Sequence, residues 1–76
     1  MKIRLTARLM LTEERGEIEL NEGALVDEVV GYIGTKHPEL GEMKNLLITI
    51  NGKRSGRTAP LSDGDELELI LLMGGG

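Results

Sequence analysis

The sequence predicts an α+β fold, in which a mixed sheet of four or five strands carries one helix across one face. Three patterns predict it: alternating apolar residues over 2–11, helical apolar spacing over 25–37, and a second alternating stretch over 66–73. A chain of 76 residues suffices for one small domain with one core. We therefore expect a single domain over residues 1–73, followed by a glycine tail at 74–76.

The first strand is predicted over residues 2–11, where every second side chain is apolar. Its inward positions are Ile3, Leu5, Ala7, Leu9 and Leu11. Its outward positions are Lys2, Arg4, Thr6, Arg8 and Met10. The polar run Thr12–Gly16 predicts a hairpin loop, and a second strand follows over Glu17–Leu20.

The apolar spacing then changes to the period of a helix, predicted from Leu25 to about Lys36. The face that would pack on the sheet is formed by Val26, Val29, Val30, Ile33 and His37. Gly31 and Gly34 each lower helix propensity by about 1 kcal/mol relative to alanine, so this helix depends on packing. Pro38 ends it.

Two turns organise the second half of the chain. A strand over Leu46–Ile50 leads into Asn51-Gly52, which is the strongest short hairpin signal. An irregular polar segment, Lys53–Ala59, and a tight turn, Pro60–Asp65, come before the last strand over Glu66–Met73. The inward residues of the two strands are Leu46, Ile48, Ile50, Leu67, Leu69 and Leu71. The predicted order is β-β-α-β-β.

Charge and composition exclude several functional classes. The net charge of −4 and the single aromatic residue, Tyr32, argue against nucleic-acid binding. There is no cysteine for a disulfide or thiolate metal site, and one histidine with two serines leaves little material for a nucleophile and its base. No apolar run reaches the roughly 18 residues that span a bilayer. We expect a cytoplasmic protein that is acted upon and is not an enzyme.

Several charged features have a structural interpretation that we prefer to a functional one. His37 is expected at the helix end, not as a metal ligand or base. The acidic stretch 63–66 predicts a turn with Asx-type hydrogen bonds and no metal. The pair 13–14 is expected in a solvated loop, and Arg54 and Arg57 as exposed loop charges.

The sequence ends in three glycines, Gly74, Gly75 and Gly76, directly after an apolar strand. Such a tail has no side chain to pack and much conformational entropy to lose on ordering. It offers a thin, unhindered C-terminal carboxylate that another protein's active site could admit. Bare tails also arise by fraying, so the tail alone leaves open whether Gly74 and Gly75 thread into a partner and whether Gly76 reacts.

This order of elements resembles the β-grasp fold of ubiquitin, and in detail the sulfur carriers of the MoaD (molybdopterin synthase small subunit) and ThiS (thiamin) type. The segments that carry the resemblance are Gly23–Val26, His37–Leu40, Asn51–Gly52, Pro60–Leu67 and the glycine tail. One departure is Leu25, where the family often has a Thr or Ser that caps the helix.

The resemblance implies a reaction cycle for the tail. An E1-like adenylyltransferase would adenylate the Gly76 carboxylate with ATP that the partner binds, so this chain would hold no cofactor. A sulfur donor would then displace AMP and leave a C-terminal thiocarboxylate. A downstream synthase, of the molybdopterin synthase large-subunit or thiazole synthase type, would consume that sulfur. No residue inside the domain needs to be catalytic.

Two other functional classes stay open: a ubiquitin-like modifier conjugated to lysines through Gly76, and a β-grasp interaction module with an inert tail. The sulfur pathway is also open. The His37-Pro38 element and the long first hairpin favour the molybdopterin type, whereas the triple glycine favours thiamin carriers, and tRNA thiolation is a third possibility.

Strand parity predicts a partner-docking patch beside the tail. We expect the first and last strands to be parallel neighbours, with the third strand antiparallel to the last. One half of the outer sheet face is then charged, through Lys2, Arg4, Arg8, Glu17, Glu19, Glu66 and Glu68. The other half carries the predicted docking patch, Met10, Leu47, Ile70, Leu72 and Met73. The alternatives are that segment 53–59 covers the last two of these, or that strand parity breaks near the end.

Overall fold

The structure is a computed structural model that describes residues 1–10 and 12–72. Within them, a five-stranded mixed sheet carries one α-helix across one face. The elements are β1 (Lys2–Leu9), β2 (Thr12–Glu19), α1 (Val26–Lys36), a 3₁₀ helix (Pro38–Leu40), β3 (Leu46–Ile50), β4 (Lys53–Arg54) and β5 (Glu66–Leu71). The predicted ubiquitin-like β-grasp arrangement is confirmed.

The strand order is β2-β1-β5-β3-β4, with β1 and β5 at the centre. These two strands are parallel, and Arg4 pairs with Glu66 at the start of their ladder. β5 is antiparallel to β3, where Ile70 lies opposite Leu47. The predicted strand directions are therefore confirmed.

The core lies between the sheet and the helix. The predicted helical positions Val26, Val29, Val30 and Ile33 are all buried, and they meet the inward side chains of the central strands. Those side chains are Ile3, Leu5, Ala7, Leu9, Ile48, Leu67 and Leu69. Each fully buried aliphatic side chain stabilises the fold by roughly 1.5–3 kcal/mol.

The start of α1 is held by the segment that follows β4. Leu25 occupies the N-cap position without a side-chain cap, as its sequence predicts. Instead, the N–H of Val26 donates to the carbonyl of Ala59 at 3.0 Å, and that of Asp27 donates to the carbonyl of Arg57 at 2.8 Å. Loop carbonyls cannot accept these bonds unless the segment lies against the helix start, so residues 53–59 have a structural role there.

Arg57 is an exposed charge outside the helices and strands, as predicted, but it has partners that the sequence did not reveal. Its guanidinium donates to the Asp27 carboxylate at 3.3 Å and to the backbone carbonyl of Met43. It thereby ties together the helix start and the loop before β3. These contacts lie at the helix start, and Leu72 stays half exposed, so the alternative that segment 53–59 covers Leu72 is wrong.

The predicted loop Thr12–Gly16 is in fact the first half of β2. Thr12 pairs with Leu9, so the hairpin connection is two residues long. Its first residue, Met10, has a φ of +54°, as tight hairpins require. The second, Leu11, lies outside the described residues. The charged run that suggested a loop is typical of an edge strand, where charges discourage pairing with other chains.

The second hairpin is confirmed. Asn51 and Gly52 have φ values of +53° and +83°, the left-handed geometry that favours this dipeptide. β4 lies within the segment that was predicted to be irregular. The turn before β5 is closed by an aspartate side chain, since the Asp65 carboxylate accepts the N–H of Ser62, three residues earlier, at 2.8 Å. An Asx turn, as predicted, would instead bond the N–H two residues further along the chain.

A candidate docking surface beside the C-terminal tail

The candidate site is the sheet end from which the tail leaves. The predicted tail, Gly74–Gly76, and the last member of the docking patch, Met73, lie outside the described residues. The last described residue is Leu72, whose N–H donates to the carbonyl of Asn45 at 2.8 Å. The backbone is therefore hydrogen-bonded to the rest of the domain up to Leu72.

Met10 and Leu72 line one groove at this end of the sheet. Their residues are 57% and 50% exposed, the largest values among the large hydrophobic residues that the structure describes. The groove has a volume of about 390 Å³. Its other lining residues are Leu40, Glu42, Lys44, Asn45 and Leu71. A side chain of a partner protein could bury both exposed residues at once.

Leu47 and Ile70 form a second part of the predicted patch. They lie opposite each other on β3 and β5, and Arg8 of β1 is the other neighbour of Ile70. Ile70 precedes Leu72 by two residues, so its side chain shares the outer face. Both residues are half-buried. The structure thus places this pair one row from Met10 and Leu72.

Sequence reasoning missed Leu40 at this site, and it predicted Leu71 to face inward, where Leu71 does pack against the core. Leu40 ends the 3₁₀ helix after His37-Pro38, and Leu71 was predicted as a core residue. Both are half-buried and line the groove from the helix side of the sheet. The signal that could have identified Leu40 is its place in the motif that ends the helix. The groove therefore combines residues from both sheet faces.

The other half of the outer face is charged, as predicted. Arg4 lies 3.7 Å from the Glu66 carboxylate, and Arg8 lies 3.9 Å from that of Glu13. Lys2 and Glu19 occupy opposite positions on β1 and β2. These groups are exposed and screened by solvent, so the pairs add little to the stability of the fold.

The adjacent carboxylates of Glu13 and Glu14 lie on opposite faces of β2. Glu13 is on the outer face, where a hydrogen bond from Arg15, 2.8 Å long, and the charge of Arg15 lower its pKa. Glu14 faces the helix end, so our prediction of a solvated loop was wrong for it. The hydrogen bond with His37 and then that with Lys36 hold the pKa of Glu14 below its ordinary value.

His37 lies at the end of α1, as predicted, and is half-buried. Its N–H donates to the carbonyl of Ile33, and its Nε2 lies 2.9 Å from the Glu14 carboxylate. Within residues 1–10 and 12–72, no cluster of three or more histidines or carboxylates could hold a metal ion. No helix in that part of the chain has the length and apolar character needed to cross a membrane.

Comparison with known protein families adds the decisive observation. The model of the ThiS family matches residues 3–76, nearly the whole chain. The chain belongs to the ThiS family. The family match and the ubiquitin-like β-grasp fold of this chain agree with each other. Among curated protein sequences, none matches it significantly.

Solved structures confirm the fold of this ThiS-family chain. SAMP1 from Haloferax volcanii is similar with a TM-score of 0.75 and 17% identity over 100% of both chains. A Helicobacter pylori structure, a complex of subunits 1 and 2 of molybdopterin-converting factor, matches with a TM-score of 0.71 and 22% identity, again over 100% of both chains. The ubiquitin of Caldiarchaeum subterraneum has a TM-score of 0.70 and 22% identity, covering 100% of this chain and 98% of its own.

Proposed function

We propose that this protein is a sulfur carrier whose Gly76 carboxylate is converted to a thiocarboxylate. The observation that carries the proposal is the family match, which runs through residue 76 and so includes the glycine tail. An E1-like adenylyltransferase binds the domain and supplies ATP. The chain is a substrate of that cytoplasmic enzyme and holds no cofactor itself.

The chemistry needs only the terminus of the chain. A Gly76 carboxylate oxygen attacks the α-phosphorus of ATP, and pyrophosphate leaves, which gives an acyl-adenylate. The terminal sulfur of a donor persulfide then attacks the acyl carbon and expels AMP. A thiol reduces the resulting acyl disulfide by two electrons and releases the thiocarboxylate. Glycines at 74 and 75 suit the tail for a narrow channel, because no β-carbon collides with its walls.

The surface from which the tail leaves is the proposed docking patch, Met10, Leu47, Ile70, Leu72 and Met73. Burying the exposed apolar surface of Met10 and Leu72 against a partner stabilises the complex by roughly 25 cal/mol per Å². Docking beside the tail also presents the carboxylate to the partner's ATP site. This geometry supports a binding mode in which the partner contacts this end of the sheet and admits the tail into its active site.

A downstream synthase takes the sulfur in the last step. The Helicobacter pylori complex supports such a partner, because there a structurally similar subunit 1 is assembled with subunit 2 of molybdopterin-converting factor. A large subunit of that type, or a thiazole synthase, fits the same docking patch. The molybdopterin, thiamin and tRNA-thiolation pathways all use this chemistry.

The alternative is a protein modifier that joins Gly76 to lysines through the same adenylate. The similarity to SAMP1, described as a small archaeal modifier protein, and to the Caldiarchaeum ubiquitin supports it. A non-catalytic β-grasp module with an inert tail is the third candidate.

Intact-mass spectrometry of the protein isolated from its own cells tests these candidates. A species with one oxygen replaced by sulfur, and reactive towards thiocarboxylate probes, is the expected result. Lysine-linked conjugates without that species would favour the modifier function over the carrier function. If only the unmodified mass is found after incubation with its own cell lysate and ATP, the inert interaction module is the remaining candidate. The matched control is the chain lacking Gly75 and Gly76, which should yield neither product.

A further inference from the structure

The strand β2 forms one edge of the sheet. It lies at the end of the strand order and is eight residues long, equal in length to the central strand β1. An edge strand of this length presents a row of backbone N–H and C=O groups that an added strand could pair with.

The register identifies which backbone groups are available. The N–H of Leu20 donates to the carbonyl of Met1 at 2.9 Å, and the terminal amine of Met1 donates to the carbonyl of Leu20 at 2.8 Å. In an antiparallel ladder, such hydrogen-bonded pairs alternate with pairs whose groups face outwards. Counting along the register of β1 and β2, the outward-facing backbone groups belong to Glu13, Arg15, Glu17 and Glu19.

Two shallow pockets follow this edge on the helix side. One, of about 150 Å³, includes Gly16, Ile18 and Tyr32 in its lining, and its floor reaches Leu5. The next, of about 340 Å³, is bordered by Ile18, Leu20 and Tyr32. Tyr32 projects from α1 and is 46% exposed. Gly16 has no side chain, which leaves the first pocket open.

The spacing of the pockets fits a strand. Gly16, Ile18 and Leu20 are successive positions on one face of β2, about 6.4–6.8 Å apart. An extended peptide beside β2 has the same repeat, so alternate side chains would enter the two pockets. We propose that the β2 edge is a second docking site, separate from the tail groove, which binds an extended basic peptide segment of a partner protein as an added strand.

Charge selects the occupant. β2 carries four glutamates and one arginine, a net charge of −3. Glu17 and Glu19 are exposed and take part in none of the ion pairs within 4 Å among the described residues. Lysine or arginine on the outer face of the added strand would lie beside them. A second copy of this chain would instead bring another strand of net charge −3 against this edge, which disfavours self-pairing.

The test uses the full chain and a fluorescein-labelled, capped peptide of about nine residues in which valine and lysine alternate. Fluorescence anisotropy should show saturable binding. A peptide of the same length that alternates valine and glutamate should bind at least about tenfold more weakly. NMR amide shifts on binding should lie on β2 and α1, around Gly16, Ile18 and Tyr32.

Glu17→Pro is the sharpest variant. It removes an N–H that faces away from β1, so the added strand loses a hydrogen bond while the β1–β2 ladder keeps its own. Affinity should fall about tenfold or more, whereas the control Glu17→Ala, which keeps the N–H, should change it less than about threefold. If Glu17→Pro does not fold, Tyr32→Ser tests the pockets instead, with an expected loss of about fivefold.

Three outcomes would overturn the proposal: no binding of the valine–lysine peptide, equal binding of the valine–glutamate peptide, or amide shifts centred on Met10 and Leu72. The chain lacking Gly75 and Gly76 should bind the peptide unchanged. This separates the β2 site from the proposed sulfur chemistry, because one can fail without the other.

Discussion

The charged half of the outer sheet face and the apolar end beside the tail are built from the same strands. On the charged half, Arg4 and Glu66 lie opposite each other on β1 and β5 and form an exposed ion pair. Directly beyond the ends of these strands, Met10 in the hairpin turn and Leu72 after β5 expose half or more of their area. The change from charged to apolar surface therefore coincides with the end of the β1–β5 ladder.

Solvation accounts for the charged half of the outer face but not for the apolar end. Exposed charges on a sheet face keep a protein soluble and need no partner. Exposed leucine and methionine side chains in a groove are hydrated unfavourably. Covering their apolar surface with another molecule lowers the free energy. The apolar end is therefore the half of the face that a partner should use.

The largest expected effect concerns the terminus itself. Adding one alanine after Gly76 should abolish adenylation, because the reacting carboxylate is displaced and a β-carbon enters the channel. ATP–pyrophosphate exchange with the cognate adenylating enzyme measures this. Full exchange by the extended chain would show that Gly76 is not the reacting residue. The interpretation of the neighbouring apolar surface as a docking patch would then lose its support.

The next prediction compares the stability cost of truncating a buried residue of β5 with that of truncating the exposed residue directly after the strand. Leu69→Ala should destabilise the fold by about 2–5 kcal/mol, because Leu69 is 1% exposed and leaves a cavity in the core. Leu72→Ala should cost no more than about 0.5 kcal/mol, as for other exposed positions. Urea unfolding of both variants tests this. Equal costs would mean that Leu72 supports the fold and is not reserved for a partner.

Leu72→Glu should lower adenylation by about tenfold or more while the free energy of unfolding stays unchanged. The reason is that the new carboxylate would lie in the groove from which partner binding must remove water. Arg4→Glu introduces the same residue into the charged half and should change adenylation by less than about threefold. Similar losses in both variants would point to long-range charge effects in place of a localised docking patch.

The smallest effect concerns Glu14, whose pKa is lowered by its hydrogen bonds to His37 and Lys36. A carboxyl group with a lowered pKa in the folded state stabilises the fold above its unfolded-state pKa, near 4.5. That stability is lost as the pH falls from there through the lowered value. Glu14→Gln should therefore unfold at lower urea concentration at pH 6, and its midpoint should approach that of the wild type near pH 3. A midpoint difference independent of pH would contradict this.

Much of the fold could be predicted from the sequence, because burial imposes a period. β1, α1, β3 and β5 each place apolar residues on one buried face, and their spacing alone identifies them. The Asn51-Gly52 turn was predictable because two consecutive left-handed residues favour that dipeptide.

The first hairpin was not predictable in the same way. The first half of β2 lies at the sheet edge, and its inner positions hold Thr12, Glu14 and Gly16 where a buried strand would hold apolar residues. Its turn uses Met10 at positive φ, without the glycine or asparagine that marks such turns. Glu14 could not be assigned to the helix end, because its contact with His37 depends on that register.

The docking patch was only partly within reach of sequence reasoning. Parity along a strand predicts that Leu72 lies on the outer face; in the structure β5 ends one residue earlier, and Leu72 is 50% exposed. The groove also needs Leu40, which comes from a 3₁₀ helix outside any strand. Long-range packing of this kind leaves no periodic signal.

The central pairing of β1 with β5 has a consequence for how the protein is made. β1 is synthesised early, but its parallel partner leaves the ribosome only after residues 10–65 have been added. Until then β1 can pair with β2 alone, and the sheet lacks its centre. Contacts so distant along the chain slow folding. The nascent protein therefore completes the centre of its sheet only when its last strand, β5, has been synthesised.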